Sequence, residues 1–535
     1  MPEHSHSYIS TISRLKTLNL NPSETPLKRC ISIGELILLG IGGILGSGVY
    51  VLTGSVAKDV AGPAVSISYL IACFPTLLAA ICFAEFGARI PRTGSAYIYT
   101  YVTLGEMWAF IVGWNFVLEI CVGNAASART VSGYLDMLTR FKIRNFTIDY
   151  ITGRSIDHPP LSQYPDLVAL FLIIIVTLVL SMGINISVKV ASIFTCISIG
   201  VMLFIVCMGF YLMDKTNWEA QGGFAPYGFS GIAAGAASCV YAYTGFEIIT
   251  TASEESLNPT KSIPIAICAS LTFAVVVYVT VSAALTLMIP YYNINPDASF
   301  ADAFQQHGLL WAKYAAGIGA VCGVSITLFI STICISKIIY AMAADGLLFT
   351  ALARIEQCNQ VPVFATITCG AFTAILAIFV DTDFLVQCRS IGGLFGYVMI
   401  STSVIILRYR PIGNITYENG NTPSNKDIPQ LEHNTSLNVA NITQNDTFSV
   451  GIFRNLKPGM LPGMATILMT MGMFILAAII NFGTDSFKVW KPWLILTLIV
   501  LGLFVVLCFA VICKHKQEET RLKFKVGSCV DKTTH

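Results

Sequence analysis

The sequence predicts an all-α polytopic membrane protein, and three observations carry that prediction. Only 12% of its 535 residues are charged and 55% are hydrophobic, whereas roughly a quarter of a soluble domain is charged. Charge-poor runs long enough to cross about 30 Å of hydrocarbon recur along the chain. Two of these runs, the first and the sixth, are rich in glycine at mid-span, where an unbroken membrane helix favours Leu, Ile and Ala. The net charge of +2 argues neither for nor against an anionic partner, and no nucleic-acid partner is expected. Most of the sixteen cysteines lie inside apolar runs and no CxxC pair occurs, so they read as small apolar residues. No metal or other cofactor is expected.

Twelve spans are placed near 33–53, 64–86, 97–120, 165–182, 188–213, 228–250, 262–289, 311–336, 361–380, 386–408, 461–482 and 490–513. The small, apolar stretch 121–138 leaves room for the third to run past residue 120. An even count puts both tails on one side, and the positive-inside rule makes that side cytoplasmic. Arg89, Arg92, Lys189, Lys261, Lys337, Arg354, Arg408 and Lys514 then face inward. The loop 139–164 is the exception, with four cations, and long loops follow the rule poorly. Residues 1–32 read as a cytoplasmic tail, 409–460 as a polar Asn/Thr-rich cytoplasmic loop, and 514–535 as a basic cytoplasmic tail. Sequons at Asn414, Asn434, Asn441 and Asn445 fall in that inner loop; Asn145, in an external loop, is the better glycan acceptor.

The first interruption, Gly40 to Gly54, reads GIGGILGSGVYVLTG. Unwound backbone at mid-membrane depth is tolerated only where it is buried in protein or lines a cavity. Two readings stand side by side: a broken helix whose amides hold a polar ligand, and close packing of helices on small residues. The sixth span, GFSGIAAGAASCVYAYTGFEIIT, repeats the pattern with Glu247 at its inner end. Paired interrupted segments in corresponding positions of two halves point to the binding site of an inverted-repeat transporter. Two five-helix repeats, 33–213 and 228–408, followed by two extra helices at 461–513, account for all twelve spans.

The chain resembles the cationic amino acid transporters of the amino acid–polyamine–organocation superfamily. The likeness runs from about Arg29 to Pro411. It includes KRCISIGELILLGIGGILGSGVYVLTGSVAKDVAGPA at the first span and CFAEFGARIPRTGSAYIYTYVTLGEMWAFIVGWN across the second and third. GFSGIAAGAASCVYAYTGFEIITTASEESLNPTKSIP, SAALTLMIPYY, SKIIYAMAADGLLF and RSIGGLFGYVMISTSVIILRYRP follow in order. The resemblance implies the leucine-transporter fold and alternating access around a central amino acid. It implies that the backbone around Gly42, Gly43, Ile44, Gly46, Ser47 and Gly48 meets the substrate carboxylate, because amides at a helix end carry partial positive charge and no intrahelical partner. It also implies that carbonyls of Val240, Tyr241, Ala242, Tyr243 and Thr244 accept the α-ammonium.

Charged residues inside spans are rare and usually functional. Glu85 lies four residues before Arg89 on one helical face; a gating or structural ion-pair role and direct substrate contact are equally open. Glu119 could attract a guanidinium or ammonium side chain, or pair with Arg129. The best-known cationic members have a small polar residue at that position, whereas members of less certain substrate carry Glu, a departure that weakens the simple arginine–lysine assignment. Glu247 stands where the family usually has Asp, and capping the inner half-helix is its alternative role. Ser325 and Thr327 of the eighth span are candidates for touching the substrate side chain, or for bonding to their own helix. Arg389 near the outer end of the tenth span is a departure, with Asp381 and Asp383 close by in sequence.

Proton-coupled relatives place a lysine in the fifth span; here Ser198 stands at that depth and Lys189 only at the entrance. The expectation is therefore a uniporter of cationic L-amino acids (arginine, lysine, ornithine) driven by membrane voltage, residing in the plasma membrane. A neutral or orphan amino acid carrier, or a non-transporting amino acid sensor on the same scaffold, are the alternatives. Every histidine falls outside the spans and no nucleophile–base pair can be built within them, so the chain is not expected to be an enzyme.

Overall fold

In a computed structural model the described residues are 14–16, 29–46, 48–139, 142–152, 161–162, 164–219, 222–356, 361–409, 460–482 and 492–514. The expected tails, the sequons at Asn414, Asn434, Asn441 and Asn445, Ser47 and the side chains of Asp383 and Arg389 lie outside them, as does nearly all of the loop 409–460. Among the described residues nine helices are long and apolar enough to cross a membrane, and three shorter apolar ones, Leu167–Ser181, Val363–Phe379 and Pro462–Leu476, accompany them.

The chain begins its first crossing as α1 (Ile33–Ile44), opened by a capping box. The Ser32 hydroxyl accepts from the Glu35 amide at 3.4 Å and the Glu35 carboxylate accepts from the Ser32 amide at 2.8 Å. These bonds satisfy donors that a helix start leaves free. At Leu45 the backbone leaves the helix (φ −78°, ψ 68°). It resumes at 48–61 as a π–α–π run, wider than a plain α-helix at both ends, built from Gly48–Leu52, Thr53–Val56 and Ala57–Ala61. Then come α2 (Val65–Arg89), the short α3 (Ala96–Thr103), α4 (Glu106–Leu138), the surface turn α5 (Lys142–Phe146), α6 (Leu167–Ser181) and α7 (Ile184–Tyr211).

The sixth crossing is again in two pieces, α8 (Gly228–Val240) and α9 (Glu247–Thr251), joined by a 3-10 turn at Tyr241–Tyr243 and an extended Thr244 (ψ 145°). Next are α10 (Pro259–Met288), α11 (Ser299–Gln306), α12 (Leu310–Ala344), α13 (Val363–Phe379) and α14 (Thr382–Tyr409). Last are α15 (Met460–Phe482) and α16 (Pro492–Lys514).

The third crossing differs from the expected 97–120. The aromatic run 96–103 is a separate helix, ended where Gly105 adopts φ 106° and its amide bonds back to the Thr100 carbonyl at 3.2 Å. The crossing itself starts at Glu106 and continues to Leu138. Hydropathy is continuous across 97–120 and does not register a glycine that reverses the chain.

The chain divides into two compact units. One is drawn from Thr25–Tyr99 and Met107–Tyr397, the other from Thr100–Glu106 and Val398–Leu522. In the first, α10 packs on α1, α2 and α7, and α12 packs on α1, α7, α11 and α13. In the second, α15 packs on α16 around Ala465, Met469, Cys508 and Ile512, and the Tyr409 hydroxyl donates to the Ile512 carbonyl at 2.8 Å.

The two helix breaks of the first unit touch backbone to backbone. Gly245 has φ 125°, and a Cβ added there would lie 2.5 Å from the Gly43 carbonyl oxygen. A side chain is thus refused twice, by conformation and by space. We expect Gly245→Ala to destabilise the protein by at least about 2 kcal/mol, read as thermal unfolding in detergent. Gly228→Ala, where φ is 63° and nothing lies within 4 Å, should shift it by about 1 kcal/mol or less.

Candidate functional site

Breaking a helix frees carbonyls that hydrocarbon cannot satisfy. Here side-chain hydroxyls take them. Tyr278 of α10 shares its single proton between the Ile44 and Ala242 carbonyls, each at 2.8 Å, and so ties one break to the other. Its ring stacks on Tyr69 (4.8 Å, 10°) and meets Tyr243 edge-on at 5.1 Å. The Tyr69 hydroxyl donates to the Gly48 carbonyl at 3.2 Å, as does Thr53 at 3.3 Å, and the Tyr243 hydroxyl donates to the Tyr69 carbonyl at 3.1 Å. Thr327 of α12 donates to the Gly42 carbonyl at 3.0 Å.

Above the second break, on its α8 side, lies a cavity of about 280 Å³. That is close to the lower end, roughly 300 Å³, of small-molecule sites. Glu119, Ala237, Ser238, Val240, Tyr241, Thr244, Gly393, Leu394 and Tyr397 line it. Glu119 is 7% exposed, on the buried side of α4. Tyr397 stacks on Phe246 at 5.5 Å, and the Thr244 hydroxyl is turned back onto the Tyr241 carbonyl at 2.8 Å.

Of the residues singled out in the sequence, Glu119, Val240, Tyr241 and Thr244 come together in this wall. Gly42, Gly43, Ile44, Gly46 and Gly48 do not line it. They pack on their neighbours instead, Gly43 against Gly245 and Gly48 against Ala242, whose Cα would lie 2.9 Å from an added Cβ. An added Cβ on Gly46 would overlap the Thr327 hydroxyl. Ala242 and Tyr243 are buried in the break. Glu247, the first residue of α9, turns its carboxylate back to accept from the Gly245 amide at 2.9 Å, ahead of the Phe246 N-cap position. Ser325 is half-buried and Thr327 fully buried, and neither lines the cavity.

Arg129, the pairing partner considered for Glu119, makes hydrogen bonds of its own. It donates to the Thr382 hydroxyl (3.0 Å), the Ala377 carbonyl (2.9 Å) and the Ser162 hydroxyl (2.5 Å), well along α4 from Glu119. Asn145 is exposed on α5. Sequence reasoning missed Ser238, Gly393, Leu394 and Tyr397. The adjacent Gly392 and Gly393 in RSIGGLFGYVMI were the one visible signal.

On the α9 side of the breaks the bundle is shut. Glu254 pairs with Arg92 at 3.2 Å and accepts from the Thr93 amide at 3.0 Å; Glu255 pairs with Lys337 at 2.6 Å. The Cys30 and Ile31 amides donate to the Glu255 carbonyl, and Ile31 bridges Ser256. Glu85 and Arg89 form their own pair at 2.9 Å. Between breaks and latch the space narrows to about 10 Å³ beside Leu39, Ile248, Cys334 and Lys337, near the least that holds one water.

A bundle of apolar helices with two of them broken side by side, a largely apolar cavity at the break that holds a buried carboxylate, and ion pairs on the opposite side defines a membrane carrier. The family model described as amino acid permease matches residues 31–506. Cationic amino acid transporter 4 of Mus musculus is 40% identical over 97% of this chain and 83% of its own length. The Homo sapiens protein of that name is 48% identical over 75% of the chain and 63% of its own length. The vacuolar cationic amino acid transporter 2 of Arabidopsis thaliana is 36% identical over 76% of the chain and 65% of its own length. The chain thus matches just under two thirds of the length of the last two. It belongs to the amino acid permease family: an integral membrane transport protein, not an enzyme.

Replacing Tyr278 by Phe keeps the stacking and removes the proton from two buried carbonyls. We expect a loss of about 1–3 kcal/mol, seen as a lower Tm in detergent. Uptake of every substrate should weaken together, with their relative preference unchanged.

Proposed function

We propose that this protein carries cationic L-amino acids (arginine, lysine, ornithine) across a membrane by alternating access, as a voltage-driven uniporter. The observation that carries the reading is Glu119, a buried carboxylate in the wall of the cavity, facing the broken segment Val240–Thr244. A carboxylate in so apolar a setting attracts a guanidinium or ammonium group far more strongly than in water. The α-ammonium is assigned to carbonyls of Val240 to Thr244, and the α-carboxylate to amides of 42–48. The present contact of Gly43 on Gly245 leaves no room between the breaks. They must part to admit a carboxylate, which couples binding to rearrangement. The relatives' names, cationic amino acid transporters, support the substrate class.

Uniport is supported by what occupies the freed carbonyls. In ion-driven carriers such carbonyls ligate the coupling cation; here Thr327, Tyr278, Tyr69 and Thr53 hydroxyls take them. Thr195 and Ser198, both uncharged, are what α7 presents toward Gly42 and Gly323. The substrate's own charge then couples to voltage, about 1.4 kcal/mol for one charge through 60 mV.

We further place both tails in the cytoplasm, the latch on that side, a glycan on Asn145, and the protein in the plasma membrane. Residues 33–213 and 228–408 are assigned as inverted repeats, with 409–460 as a cytoplasmic loop and 461–513 as the two added helices. Glu85 and Arg89 are assigned to the inner gate.

The test is labelled arginine uptake into proteoliposomes, competed by lysine, ornithine and leucine at set potentials. Arginine should accumulate about tenfold at 60 mV, inside negative, and leucine should compete poorly. Glu119→Gln should lower the preference for arginine over leucine by about tenfold or more. Leucine preferred over arginine, or flux indifferent to voltage, would sink the proposal.

A further inference from the structure

Glu119 owes its place to the helix across from it. Asn115, Phe116 and Glu119 stand at i, i+1 and i+4 on α4, and Gly392, Gly393 and Gly396 repeat that spacing on α14. The two triplets face each other. A Cβ built on Gly392 would lie 2.8 Å from the Glu119 Cβ, and one on Gly396 would lie 2.6 Å from the Phe116 ring. The Asn115 side-chain amide donates to the Gly392 carbonyl at 2.9 Å, which pins the register. These two glycines serve close helix approach, because what a side chain would strike is held by backbone or by a packed ring.

Gly393 differs from both. A Cβ there would meet the Glu119 carboxylate oxygen Oε1 at 2.9 Å and the Thr244 methyl at 3.5 Å. The atom in the way is the far end of a flexible side chain, so helix packing does not demand a glycine at 393. The carboxylate's position does. Glycine is the poorest helix former after proline, and this one, with Glu119 and Thr244, lines the cavity.

We propose that Gly393 is a specificity-determining residue: its missing side chain is the space that holds the Glu119 carboxylate at the cavity wall beside the second break. The inference rests on the assignment of Glu119 as the partner of the substrate's cationic end. A methyl group at 393 displaces the carboxylate without parting α4 from α14. Recognition of the amino and carboxylate groups common to all amino acids persists, while discrimination by side-chain charge falls. Gly393 acts through Glu119 and touches the cationic end only indirectly, so it is a positioning residue.

The test uses the full chain in detergent and reads the concentrations of arginine and of citrulline that give half-maximal thermal stabilisation. Citrulline matches arginine in shape and lacks its side-chain charge. Gly393→Ala should lower the preference for arginine over citrulline about tenfold, with citrulline itself changed less than about threefold. Glu119→Gln should lower that preference at least as far, and the double variant should match Glu119→Gln within about twofold, since a shared route is not additive. Equal weakening of both ligands, losses that multiply in the double variant, or a Gly393→Ala chain that no longer folds would each overturn the proposal, because each makes 393 a packing position. If Glu119→Gln leaves the preference intact, the underlying reading of Glu119 fails. If Gly393→Ala alone leaves it intact, the reading of Glu119 stands and the role of Gly393 fails.

Discussion

Backbone carbonyls released inside a membrane must find partners, and the architecture around the two breaks follows from that requirement. Tyr278 answers it for both at once, lending one hydroxyl proton to Ile44 and Ala242. Around it Tyr69, Tyr243, Thr53 and Thr327 complete the set, and their rings and methyls fill the space that the thin glycine backbone leaves open. By these hydrogen bonds the two breaks are tied to each other and to the helices around them. Their mutual contact at Gly43 and Gly245 is close enough that any ligand placed between them must push them apart.

That arrangement separates two tasks. On the function proposed above, the backbone of the breaks offers partial charges of both signs to the groups every amino acid shares. On the same proposal, choice among amino acids falls to residues that line the cavity from other helices: Glu119 from α4, and Gly393, Leu394 and Tyr397 from α14. On the far side, the ion pairs of Glu254 and Glu255 with Arg92 and Lys337 close the bundle.

Both breaks were legible in the sequence, because five glycines in nine residues at 40–48 and the TGFE turn at 244–247 contradict an unbroken apolar helix. Glu119 was legible for the same kind of reason, as a charge where hydrocarbon forbids one. What surrounds these residues was not. Gly393 lies far from Glu119 in sequence, and a glycine that spares room for a carboxylate looks like one that lets helices pack. Tyr278 sits in a run of Val, Tyr and Thr that reads as ordinary lipid-facing sequence. The onset of the third crossing was misplaced because α3 is as apolar as the helix that follows it, and only the backbone at Gly105 divides them.

On the proposed function the cargo brings the charge that drives its own movement, paired inside with Glu119. Transport currents recorded from proteoliposomes adsorbed on a solid-supported membrane, with flux of labelled substrate measured in parallel, test it most directly. One elementary charge should move for each arginine in sodium-free buffer, with none for citrulline or leucine. A current carried with neutral amino acids, or arginine flux without net charge, would contradict it.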